Sequence, residues 1–273
     1  MRSRLPIVCL AAMLSLSLIG CSAMTPGHVD AVQPVTNDTR VGNAYLLRGF
    51  IGVFSAGIDH LGNEVNAVGI HSEVFQDDQW SDLANEIVLR FGGHPDAEPL
   101  VLIGHSYGAD DVVRIARKLD AANIPVTMLI TLDPVTPPAV PKNVRLCVNL
   151  YESNGIWDNF PWLRGIPLQH QGGSKGTLYN ADIRKDRTDL LEPGLDHFNI
   201  EKQRKVHDEV LRLLLAVCPT RQDWIAARSA PTPVLASASK ALPLPPETGR
   251  ATLARSRLNG QLATVSIAHE SSN

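Results

Sequence analysis

Between about Val41 and Cys218 the apolar positions alternate between two kinds of segment. Short unbroken runs predict buried strands at Ala44–Leu47, at Ala67–Ile70 continuing to about Phe75, at Leu100–Ile103, at 125–132 and at Val144–Leu150. Helix-period segments lie between them. Ile58–Val65 predicts a short helix, and Trp80, Leu83, Ala84, Ile87, Val88 and Phe91 mark an amphipathic one stopped by Gly92-Gly93. Val112, Val113, Ile115 and Ala116 open a third that runs to about Asn123. The last helix carries Ile200, Val206, Val210, Leu213, Leu214 and Val217, with Asn199 as its expected N-cap and Pro219 as its stop. Thr177–Ile183 predicts a final strand, with antiparallel pairing open to it because no crossover helix precedes it. Strands alternating with amphipathic helices imply an α/β architecture, a mainly parallel sheet covered on both faces.

The pattern fails outside these limits. Arg2 and Arg4 precede an apolar run, Leu5–Ile19, then Gly20 and Cys21, which has the layout of a signal peptide over residues 1–20. Leu18-Ile19-Gly20-Cys21 resembles the bacterial lipobox. That resemblance implies cleavage before Cys21, its lipidation, and membrane attachment without a spanning helix. Ser22 after it implies the outer membrane, facing the periplasm; an ordinary secretory signal or a short membrane anchor is the alternative. Residues 21–40 then read as lipidated Cys and flexible tether, and 219–273 as a largely disordered tail with a transient helix near Trp224.

Composition narrows the function classes. A chain of 273 residues with 44% hydrophobic content and a formal charge of -3 has no Lys/Arg block, so nucleic acid is not an expected partner. No C-x-x-C or H-E-x-x-H spacing occurs, and neither a metal site nor an organic cofactor is expected. Cys147 and Cys218 are expected as two separate buried thiols rather than a pair. Asn154–Gly176 breaks the alternation with Trp157, Phe160, Trp162, Leu163, Ile166 and Leu168. That loop either packs on itself or forms an apolar wall beside the strand ends.

The chemistry centres on GHSYG, residues 104–108, between a strand and a helix. Gly104 and Gly108 leave room for a sharp turn that presents Ser106 at the helix N-terminus, where free N–H groups favour a developing oxyanion. Asp133 ends the next strand and His197 opens the closing helix. The order Ser106, Asp133, His197, with the motifs GHSYGA, TLDPV and DHFNIEK, resembles the α/β-hydrolase superfamily, in a reduced form without the first hairpin, and within it small bacterial lipase- or thioesterase-like serine hydrolases.

That resemblance implies Ser106 as nucleophile, His197 as base and acid, and Asp133 as the orienting carboxylate, with Glu152 as the alternative acid one strand later. It implies oxyanion-hole N–H groups from Tyr107 and from Phe50, or Ile51 next to it, in the turn Arg48-Gly49-Phe50. Arg48 offers itself for an anionic headgroup, and His105 is expected to be structural. The implied function is a membrane-tethered hydrolase of carboxylic esters or thioesters of lipid-like substrates. A catalytically inactive envelope scaffold of the same fold and an acyltransferase using the same three residues remain alternatives. Oligomeric state is open.

Overall fold

The computed structural model describes residues 25–50, 56–153 and 165–229, and the backbone of a strand at 252–255. The predicted signal peptide, Cys21, Ile51 and the loop residues Trp157, Phe160, Trp162 and Leu163 lie outside the described residues.

Six strands run parallel: β1 (Asn43–Leu47), β2 (His71–Phe75), β3 (Leu100–His105), β4 (Val126–Leu132), β5 (Val144–Tyr151) and β6 (Thr177–Asp182). Their order is β2-β1-β3-β4-β5-β6, and β7 (Thr252–Arg255) adds an antiparallel edge beside β6. Five helices are described: α1 (Ala56–Ala67), α2 (Trp80–Phe91), α3 (Tyr107–Ala121), α4 (Arg204–Val217) and α5 (Arg221–Ser229). Among the described residues no hairpin precedes β1. The architecture is α/β, a mainly parallel sheet with helices on both faces.

Strand alternation divides the core. Leu46, Ile103, Ile130 and Val148 point to the face covered by α1 and α4, where they meet Ile58, Leu61, Val210 and Leu214. Tyr45, Leu102, Leu129 and Cys147 point to the opposite face, against Leu83 and Ile87 of α2 and Val112 and Ile115 of α3. Both faces being buried is why the strands are apolar throughout rather than alternating. Successive strands leave β1 in opposite directions, β2 to one side and β3 to the other, so a crevice opens at the carboxyl ends of β1 and β3. Ser106 follows β3 at that crevice.

Several expectations are corrected. The strand expected at 67–75 begins only at His71, because Ala67 closes α1 and Gly69 turns the chain at φ 84°. β6 pairs parallel with β5, so the segment 152–176 returns the chain to the amino end of the sheet. Asn199 precedes a 3₁₀ turn, Ile200–Lys202, without a side-chain cap hydrogen bond, and α4 starts only at Arg204 after Gln203 breaks the helical path at ψ 127°.

Residues 25–40 pack on the domain rather than stand off it. Gly27 N–H donates to Gln79 Oε1 at 2.8 Å, Glu98 N–H donates to Pro34 O at 2.8 Å, and Thr36 Oγ1 donates to Glu98 Oε2 at 3.0 Å. The helix near Trp224 is α5, anchored by Arg221 to the buried Glu98 at 2.8 Å. Glu98, two residues before β3, thus ties residues 34–36 and α5 to the domain. Cys147 and Cys218 are both buried and free, and burial alone raises the Cys147 thiol above its ordinary range. No described helix is long and apolar enough to cross a membrane.

Candidate active site

The turn between β3 and α3 is as tight as its glycines imply. A Cβ on Gly104 would meet Gly108 O at 2.2 Å, and one on Gly108 would meet Arg48 O at 2.3 Å and Leu47 O at 2.6 Å. The first turn of α3 is therefore pressed against the end of β1. Ser106 between them has φ 56° and ψ −124°, a region that a side chain rarely adopts and that costs roughly 1–3 kcal/mol. Its backbone is held on both sides: Ser106 N–H donates to Leu132 O at 2.9 Å, and Ser106 O accepts from Ala109 N–H at 3.0 Å.

Three side chains far apart in sequence meet here. Ser106 Oγ lies 3.0 Å from His197 Nε2, and His197 Nδ1 lies 2.7 Å from Asp133 Oδ2. All three residues are buried. With Nδ1–H donating to the carboxylate, Nε2 carries the lone pair that accepts the Ser106 hydroxyl proton. Burial pushes the Asp133 carboxyl above its ordinary range, while the hydrogen bond from His197 and the N–H of Glu152 pull it back toward the ionised form.

The two carboxylates considered for the acid have different surroundings. Asp133 follows β4 at φ 53°, a left-handed conformation that Asp tolerates better than most residues. The Glu152 carboxylate is held elsewhere, its Oε2 accepting from Arg184 Nε at 2.6 Å. Arg184 also donates from Nη2 to Leu195 O, two residues before His197. Through Arg184, Glu152 braces the segment leading to His197.

Two supporting residues, Asp110 and Gly165, lie outside the motifs, and a third, His105, lies within GHSYG. Asp110, fully buried on α3, accepts from Val135 N–H at 2.9 Å and from Thr136 N–H at 2.8 Å, fixing the turn that follows Asp133. Its spacing of four from Ser106, on the same side of the helix, was the available signal. Gly165, at the returning limb of the 154–176 loop, leaves no room for a side chain: a Cβ there would sit 1.8 Å from Asp133 Oδ1. Behind the imidazole, His105 Nε2 donates to His197 O at 2.9 Å, and burial lowers the His105 pKa to about 3, so its ring is neutral.

Tyr107 opens α3, where first-turn N–H groups have no intrahelical acceptor. Phe50 is close by, its ring centroid 5.9 Å from that of Tyr107 and its surface 59% exposed. Arg48 is not available to an anionic headgroup. It is buried, its guanidinium is clasped by both carboxylate oxygens of Asp59, and its Nη1 donates to Thr25 O at 3.1 Å.

A second constellation escaped the sequence reading. His60 and Glu64 on α1 and His207 on α4 bring two imidazoles and a carboxylate within 4.8 Å of one another. The four-residue spacing of His60 and Glu64 was visible, but their partner lies 143 residues beyond Glu64.

No protein-family model and no curated protein matches the sequence. Solved structures do resemble it. A protein assigned to the alpha/beta hydrolase superfamily from Xanthomonas campestris pv. campestris is 15% identical with a TM-score of 0.33, covering 63% of this chain and 97% of its own. The type II thioesterase YbtT of the yersiniabactin biosynthetic pathway is 14% identical with a TM-score of 0.35, covering 66% and 94%. A metagenomic carboxyl esterase is 12% identical with a TM-score of 0.34, covering 65% and 74%. The roles of Ser106, His197 and Asp133 rest on their own geometry.

Proposed function

We propose that this chain is a serine hydrolase that cleaves carboxylic esters or thioesters of lipid-like acyl groups through an acyl-enzyme. The reading rests on one observation, the continuous contact from Ser106 Oγ through the His197 ring to Asp133 at 3.0 and 2.7 Å. Ser106 Oγ attacks the carbonyl carbon while His197 Nε2 takes its proton, because an unassisted hydroxyl is too weak a nucleophile. The oxyanion accepts from the N–H of Tyr107 and from the N–H of Phe50. Collapse of the tetrahedral species breaks the bond to the alcohol or thiol, which leaves with the proton from His197. Water then repeats the sequence on the acyl-enzyme and releases the acid. Asp133 stays a carboxylate throughout, holding Nδ1–H and stabilising the imidazolium.

The apolar character of the acyl group is inferred from the rim. Phe50, beside Tyr107, and Phe198, beside His197, are exposed large aromatics at 59% and 41%. An inactive scaffold would have no use for the strained backbone at Ser106, which favours the catalytic reading over it. Lipidation at Cys21 would hold the enzyme at the outer membrane, facing the periplasm, where such substrates concentrate.

The test is a panel of p-nitrophenyl esters and acyl thioesters of rising chain length. Turnover that rises with chain length and vanishes in Ser106→Ala supports the reading, and no turnover on any member counts against it. Adding an alcohol acceptor and analysing products separates hydrolysis from acyl transfer. Palmitate incorporation that is lost in Cys21→Ser tests the anchor.

A further inference from the structure

α1 and α4 bring two imidazoles and a carboxylate together at a place the proposed chemistry does not use. His60 and Glu64 stand four residues apart, on one side of α1, and His207 reaches the same carboxylate from α4. His207 Nδ1 lies 2.8 Å from Glu64 Oε2, and His60 Nδ1 lies 3.9 Å from Glu64 Oε1. Two donors bound tetrahedrally at about 2.1 Å from one zinc ion stand about 3.4 Å apart. Small side-chain rotations therefore bring all three onto one ion.

The hydrogen bonding of His207 points to a cation. Its Nε2 lies 2.6 Å from the Glu201 carbonyl oxygen while its Nδ1 faces the Glu64 carboxylate. Carbonyls and carboxylates only accept, and a neutral imidazole has one N–H. The second contact needs a second positive group, either a further proton or a metal ion in its stead. With Nε2–H on the carbonyl, the Nδ1 lone pair is the one left for a metal, and this backbone contact is how ligating histidines are commonly oriented. The His60 ring stands 5.8 Å from the His207 ring, and its side chain is 71% exposed, free to turn inward. Arg204 binds Glu64 at Oε1, leaving Oε2 toward His207, and its own charge is shared with Asp208.

We propose that His60, Glu64 and His207 form a site for one divalent transition ion of the zinc class, with water completing the coordination. Two imidazoles and one carboxylate suit zinc better than calcium or magnesium, which take oxygen donors. The position gives the ion a structural role. Gly57 of α1 packs directly on the Ile200–Lys202 turn, where a Cβ would meet Glu201 O at 2.1 Å, and that turn follows His197 by three residues. An ion joining α1 to α4 clamps the segment that carries His197.

The test uses the full chain, stripped with chelator, as wild type, His60→Ala and His207→Gln. Each is titrated with zinc by calorimetry, melted with and without zinc, and titrated with cobalt(II) for a visible ligand-field spectrum. Wild type is expected to take one ion per chain, to melt higher with zinc, and to give a cobalt spectrum of nitrogen and oxygen ligation. His60→Ala, an exposed change that leaves the metal-free melting temperature in place, is expected to weaken binding by at least about tenfold. His207→Gln is expected to abolish it; should that buried change fail to fold, His60→Ala carries the comparison. Absence of zinc binding by wild type, or equal binding by wild type and His60→Ala, overturns the proposal. Labelling of Ser106 is read separately and does not depend on this outcome.

Discussion

The backbone N–H of Glu152 donates to Asp133 Oδ1 at 2.8 Å, so one candidate acid is held in place by the main chain of the other. Asp133 keeps Oδ2 for His197 Nδ1, and the Glu152 carboxylate goes to Arg184. Asp133→Asn should lower kcat by about 10⁴-fold with the melting temperature little changed, since the amide oxygen still accepts from Glu152 but the imidazole tautomer is no longer held. Glu152→Gln should keep turnover within a few fold, about 0.5–1 kcal/mol in barrier. Steady-state kinetics of the two variants decide the assignment, and the reverse ranking would move the role to Glu152.

Gly165 packs directly against the Asp133 carboxylate. A methyl group there would overlap Asp133 Oδ1 at 1.8 Å and Cγ at 2.6 Å, so Gly165→Ala has to displace the carboxylate or the limb. Displacement on the order of 1 Å costs about 10²-fold in rate. The expected loss is in kcat, with the fold retained by circular dichroism; unchanged kcat would mean that the limb moves and the carboxylate does not.

Asp110 supports the same turn from below. In Asp110→Ala the N–H of Val135 loses its acceptor in a buried setting, and the N–H of the more exposed Thr136 loses its acceptor as well. Leaving such a group unsatisfied costs roughly 1–3 kcal/mol, which a urea denaturation series would detect. Asp110→Asn, which keeps one acceptor oxygen, should lose less.

Glu201 gives the pH dependence a sign. It is fully buried, with Oε1 at 3.4 Å from Lys202 Nζ and Oε2 at 3.9 Å from His105 Nε2, and burial pushes its carboxyl up to about 7. A pKa raised in the folded state means that the folded form holds a proton the unfolded form releases. Its contribution is present below the ordinary carboxylate pKa and is lost as pH rises through about 7. Gln mimics the protonated acid. Glu201→Gln should match wild type near about pH 5 and exceed it near about pH 8 in urea-derived stability. A wild type that gains on the variant as pH rises would contradict this.

Much of this was legible along the chain. Unbroken apolar runs such as Leu100–Ile103 identified the strands buried on both faces, and the glycines around Ser106 identified the turn, because both follow from local sterics. The pairing direction of β6 was not legible, since it is set by where a loop without periodic pattern returns the chain. The docking of residues 25–40 rests on isolated anchors, Val32 and Thr36, too few to form a pattern. Asp110 and Gly165 act through contacts with Asp133 and the turn after it that only the fold creates. His60, Glu64 and His207 depend on two helices meeting across the chain.

Labelling by a fluorophosphonate followed by peptide mass analysis addresses the proposed nucleophile most directly. The expected result is one adduct per chain, on Ser106, formed by the native protein, slowed sharply in Asp133→Asn and absent after denaturation or in Ser106→Ala. A native protein that stays unlabelled, or an adduct found on another serine and undiminished in Ser106→Ala, would contradict the account.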